Sequence, residues 1–376
     1  MAEPVAPDAR PLPQVASGTC YALFAYEVGQ AIDLDECERR VSALTQRARI
    51  RHKRRAPKYF EFHPPPLRVT QEIEGLPVGS HRTAATVDVL LFDFGAVSVT
   101  YTIPFAGPLA SLLALSDALY DNPTLLADSH QRIAQLVADV TPAITKPGIA
   151  DFVEPYAIFQ IEAFTTPCPP ASLSAAHAHE MAQILRSERD RLSPEEVADA
   201  VACRITFGPD DLAIIDWDAA LLVDRDGDDV RDVLEFANVE LLEMRFLDQQ
   251  LDGALDESYE RLSRRAWARH LLPGSARADL RRIGQLQVDA AVLFEGVNNA
   301  LKLLGEQYLA RVYRLASERF HLAEWDASIL RKLQTLESIY QKLSDQASNW
   351  RLEALEWIII ALIAIEIVLS FGLPGR

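Results

Sequence analysis

Seven cations fall in the twelve positions Arg47–Lys58: Arg47, Arg49, Arg51, Lys53, Arg54, Arg55 and Lys58, followed by Tyr59 and Phe60. Guanidinium and ammonium groups at that density neutralise phosphates, so the cluster fits contact with RNA, a ribosome or an anionic lipid surface. A solvated loop pairing with the acidic body is the plainer reading of the same residues. The body is acidic: the formal charge of the 376-residue chain is −17, which sets the molecule as a whole against nucleic acid.

Other motifs carry less chemistry. Asp93–Gly95 spells the D-F-G of a kinase, but no glycine-rich loop, V-A-I-K strand or H-R-D loop accompanies it, and a hairpin turn is expected. The run Asp224–Asp229 with Glu235 approximates a calcium loop, yet Asp229 stands where that loop needs glycine, so a turn opening a helix is expected. His177 and His179, two apart on one predicted helix, point about 200° apart and read as a surface pair, not joint metal ligands. Cys20, Cys37, Cys168 and Cys203 form no C-x-x-C pair, which argues against zinc and disulfides and for a reducing compartment. No phosphate loop, nucleophile elbow or dinucleotide fingerprint is present, and no catalytic residue, metal or cofactor is assigned.

The elements that must position these residues follow from periodicity. Residues 1–17, with four prolines and no apolar run, predict a disordered tail without a signal peptide. Residues 18–229 predict an α/β body: strands in "GTCYALFAYEVG" and "EPYAIFQIEAF", a helix in "LDECERRVSAL", and a hairpin in "ATVDVLLFDFGAVSVTYTIPF". The element order suggests a duplication of 18–140 in 151–229. Residues 230–350 predict a helical and coiled-coil region, beginning with an amphipathic helix that carries aspartates at its start. The fold class is therefore α+β, an α/β body followed by long helices.

Between Glu306 and Phe371 there is no glycine or proline. Ile329, Leu333, Leu336, Tyr340, Leu343, Ala347, Trp350, Ala354 and Trp357 alternate steps of four and three, a coiled-coil seam. That seam fits a helical hairpin with a turn near Arg319–Ser328, self-association between chains, or both. Residues 351–373 predict a transmembrane-like helix. Trp357–Phe371 is apolar apart from Glu366 and Ser370, with Trp350, Trp357 and Arg351 at its entry end. Fifteen residues give about 22 Å of helix against a hydrocarbon core of roughly 30 Å, a marginal span. Glu366 falls opposite the seam, where burial between helices of an oligomer, or protonation, is required.

The terminal "RLEALEWIIIALIAIEI" resembles the closing signature of the required for meiotic nuclear division family, also described as the domain of unknown function 155 family. Arg351, Leu352 and Glu353 match its opening, with Ala354–Glu356 as an insertion, and Ile359, Ile360, Leu362, Ile363, Ile365 and Glu366 match the rest. "FDFGAVSV" at Phe92–Val99 and the pair Tyr308 and Leu309 are similar to further family positions. The resemblance implies a microbial member: a tail-anchored, single-pass protein of the cell inner membrane, its body facing the cytoplasm, forming homo-oligomers and linked to translation through ribosomes held near the membrane. It implies no catalytic residues.

Three functional classes remain open on these residues. One is a membrane-anchored homo-oligomeric scaffold, with self, membrane and ribosome or RNA as partners and no small-molecule substrate evident. A second is an enzyme with an acidic cleft between the two α/β halves, using Asp93, Asp216 and Asp218. The third is a soluble oligomer that buries its terminal helix among its own subunits.

Overall fold

The computed structural model describes residues 13–45, 50–51, 65–263, 281, 284, 288 and 307–372. In chain order the elements are β1 (Gln14–Glu27), α1 (Leu34–Thr45), β2 (Ile50–Arg51), β3 (Leu67–Glu72), β4 (Thr86–Leu91), β5 (Ala96–Pro108), α2 (Leu112–Leu119), α3 (Pro123–Val140) and β6 (Val153–Phe164). There follow α4 (Pro170–Ala176), α5 (Ala178–Arg186), α6 (Pro194–Ala200), β7 (Arg204–Ile205), β8 (Leu212–Ile215), β9 (Ala219–Val223), α7 (Asp228–Ser263), α8 (Gln307–Arg319) and α9 (Leu322–Gly372). Two compact units divide the chain: Met1–Phe246 with Val292–Trp325, and Leu247–Ala291 with Asp326–Arg376.

The first unit is built on a nine-stranded sheet in the order β7-β8-β9-β6-β1-β5-β4-β3-β2. Its centre is the long antiparallel pair β1 and β6, in which Cys20 faces Phe159 and Tyr26 faces Val153. Outward from that pair each half of the body adds its own strands. The directions differ: β5 runs antiparallel to β1, whereas β9 runs parallel to β6.

Period-two alternation on β1 sends Cys20, Ala22, Phe24 and Tyr26 to one face, where they join a core with Val97, Val99, Tyr101, Leu115, Ile133 and Met181. Helices α1 to α5 supply the cover. The opposite face carries Tyr21, Thr100, Glu154 and Arg68, and α7 crosses it. Arg231 lies 4.5 Å over the Tyr21 ring, the Thr100 hydroxyl donates to Glu235, and Asn238 donates to the Glu154 carbonyl. With both faces covered, β8 and β9 are buried at every position, so their sequences read as apolar runs without alternation.

Turn chemistry fixes the edges of these elements. Gly95 has φ +112°, and a Cβ there would lie 1.9 Å from the Gly29 carbonyl oxygen, so glycine is required. The D-F-G triplet is thus the hairpin turn joining β4 and β5. Asn122 caps α3 by accepting from the Thr124 and Leu125 N–H groups, with Pro123 in the first turn. The predicted helix around His177 is two helices, α4 and α5, and the helical run after Glu306 is broken at Phe320 and His321, where His321 has φ +52°.

In the second unit Lys332 Nζ lies 2.8 Å from Asp248 and 2.6 Å from Asp252, joining α9 to the later turns of α7. Around that bridge Leu247, Leu251 and Ala254 of α7 and Ile329, Leu333, Leu336 and Ile339 of α9 are buried. The early part of the seam is therefore filled by the chain's own α7.

The expected transmembrane ending needs correction. Among the described residues no helix is long and apolar enough to cross a membrane. The apolar run is short, it contains Glu366, and it continues without a break from a polar stretch carrying Arg351, Glu353 and Glu356. The membrane, tail-anchor and inner-membrane assignments fall with it.

Candidate functional site

The acidic residues expected to line a cleft do not converge as an open acidic site. Asp216, at the end of β8, is 1% exposed, and its carboxylate is occupied. Arg319 Nε donates to it at 2.8 Å, and Arg186 Nε donates to its other oxygen at 3.1 Å. The same arginines reach Asp199, and Arg186 also pairs with Glu196. Hydrogen bonding from Arg319 is the main reason the Asp199 carboxyl is held down to about 2. Burial works against the Arg319 charge, but Asp199 and Asp216 outweigh it and push its guanidinium pKa up. The network fastens the end of α8 to the sheet edge, with Phe320 packed edge-on against Tyr156 and His321 against Trp217. Asp93 is placed in the β4–β5 turn, and burial raises its pKa; Asp218 is raised by burial and then by Asp216.

The histidine pair is also divided. His177 is buried at the junction of α4 and α5, so it is not the surface residue the sequence suggested, while His179 is partly exposed. Asp224–Gly227 form the turn before α7, with the Asp226 N–H bonded to the Asp224 side chain. Among the described residues no group of three His, Cys, Asp or Glu is set to hold a metal.

A layer the sequence did not reveal lies beneath α7. Glu235, Asn238, Glu240 and Glu243 are all buried there. Burial raises the Glu240 carboxyl to about 7, against the opposing effect of the Tyr313 hydroxyl that donates to it. Burial likewise raises Glu243, which shares a hydrogen bond with Glu27. Glu154 is raised to about 7 by burial despite Arg245, and Asp232 to about 6 despite Arg231 and Arg68. These acids were missed because glutamate on an amphipathic helix is expected on its wet face.

The remaining feature is on α9. Trp357, Ile358, Ile359, Ile360, Leu362 and Ile363 are between 51% and 71% exposed, and Glu356 and Ala361 beside them are exposed too. Consecutive helical residues point all round the axis, so this is an apolar collar, not a stripe. Of the other residues singled out for assembly, Leu336 is buried within the second unit, while the side chains of Leu343, Trp350 and Glu366 lie outside the described residues. So does the basic cluster Arg47–Lys58, except for the backbone of Arg51 in β2.

The fold defines an α+β protein: a broad mixed sheet covered on both faces, followed by long helices. Residues 17–229 match the family described as Uncharacterized protein MJ0711, N-terminal domain, and the chain belongs to that family. It is 25% identical over 244 residues to Uncharacterized protein MJ0711 of Methanocaldococcus jannaschii, covering 63% of this chain and 72% of the relative. No solved structure matches the chain. These findings correct the resemblance to the meiotic nuclear division family. Its terminal motif lies outside the matched residues, and its isoleucines, leucines and glutamates are the types any apolar helix end draws on.

Proposed function

We propose that this protein is a homo-oligomeric scaffold whose copies associate through the distal turns of α9. The observation that carries the reading is the collar at 357–363. Six large apolar side chains that are half exposed or more lie within these seven residues, on every side of the helix. One facing copy covers the side of the collar turned toward it, and further copies cover the rest. A second copy is the favoured occupant because the four-three spacing of the seam runs on into Trp357, giving each copy the pattern its partner needs. The buried half of the seam is already satisfied by α7, which leaves the distal turns for another chain.

Sedimentation velocity of the full chain over a hundredfold concentration range tests this. A dimer or larger species is expected, becoming monomeric in an Ile359→Lys, Leu362→Lys double variant with unchanged circular dichroism. A wild-type monomer at the highest concentration, or an oligomer indifferent to the double variant, would overturn the proposal.

A further inference from the structure

The loop after β7 is folded on itself by Asp211. Its carboxylate accepts the Phe207 N–H at 2.7 Å, the Gly208 N–H, and the Tyr308 hydroxyl at 3.4 Å. This loop, α4 and α8 border a concavity of about 620 Å³. That is the size of a small-molecule site, far larger than a lone inorganic ion requires.

Two arginines from different elements line it, Arg204 on β7 and Arg311 on α8, together with Ser174 and Thr206 over an apolar floor at Leu212. Neither arginine makes a side-chain hydrogen bond or ion pair with the described residues. Their situation differs from that of Arg186, Arg231, Arg245 and Arg319, each of which is paired with a carboxylate of the body. The Asp211 carboxylate is engaged by the loop it holds. Two forked guanidinium donors and two hydroxyls facing one space match a tetrahedral dianion, whose oxygens accept several bonds at once.

We propose that this concavity binds a small organic phosphomonoester, with the phosphate held by Arg204 and Arg311 and the organic group over the apolar floor. The site is independent of the collar on α9. It draws on none of the residues that fasten α8 to the sheet.

The test is isothermal titration of the full chain at constant ionic strength with two probes, inorganic phosphate and adenosine 5′-monophosphate. Saturable binding of the nucleotide is expected, weakened at least tenfold in Arg204→Gln and in Arg311→Gln. It should be unchanged in Arg314→Gln, an exposed arginine of α8 that does not line the concavity. Thermal melts of the variants should match the wild type, since Arg204 and Arg311 are exposed. Absence of saturable binding with both probes would overturn the proposal, as would an equal loss in Arg314→Gln. Equal affinity for phosphate and nucleotide would overturn the organic part of the ligand.

Discussion

Glu240 gives the sharpest test of the buried acidic layer. It is 3% exposed, its partner is the Tyr313 hydroxyl, and burial raises its carboxyl from an ordinary 4.5 to about 7. At about 1.4 kcal/mol per tenfold change in proton affinity, that displacement corresponds to roughly 3 kcal/mol. The sign follows from which state holds the proton. Between 4.5 and about 7 the folded chain keeps the proton that the unfolded chain releases, so stability falls as pH rises through that window. Below it the group contributes no pH dependence; above it the cost of a buried carboxylate is fully present. Glu240→Gln keeps the shape and an acceptor for Tyr313 but cannot ionise. Urea unfolding of both proteins at half-unit steps from pH 4.5 to 8 should show the variant gaining on the wild type as pH rises, by roughly 3 kcal/mol in all. Tyr313→Phe, which removes a bond favouring the ionised form, should move the wild-type midpoint upward. A difference between wild type and Glu240→Gln that stays flat across the window would refute the reasoning.

Three further outcomes are expected. Arg319→Met leaves the buried Asp216 with Arg186 as its one cationic partner among the described residues and should cost about 3 kcal/mol or more, read as a lowered melting temperature. Gly95→Ala should be far more damaging than Gly148→Ala: the first drives a Cβ into the Gly29 carbonyl at positive φ, and the second meets nothing within 4 Å, so their urea midpoints should separate clearly. Among the thiols, Cys20 and Cys37 are fully buried, and burial pushes Cys37 up to about 12. A disulfide reagent should therefore modify only Cys168 and Cys203 in the native protein and all four after unfolding.

Local signals decided a good part of the fold. Alternation marked β1 and β6, glycine at 95 marked the β4–β5 turn, and aspartates at 228 and 229 marked the start of α7, because period, turn and cap are properties of neighbouring residues. Partnership was a different matter. That β9 lies parallel to β6, that Asp216 meets Arg319 across 103 residues, and that α7 is covered on its acidic side at Glu235, Glu240 and Glu243 are facts of packing that no window of sequence contains. The breaks at His177 and His321 were likewise set by tertiary contacts, since neither residue is a helix breaker by type. The terminal helix shows the limit most plainly. Apolar side chains alone suggested a membrane span at Trp357–Phe371, but the run is short and holds Glu366, and among the described residues no helix is long and apolar enough to cross a membrane. Only the folded chain showed where α7 covers the seam at Leu333 and Leu336, and that residues 357–363 remain bare around the whole helix.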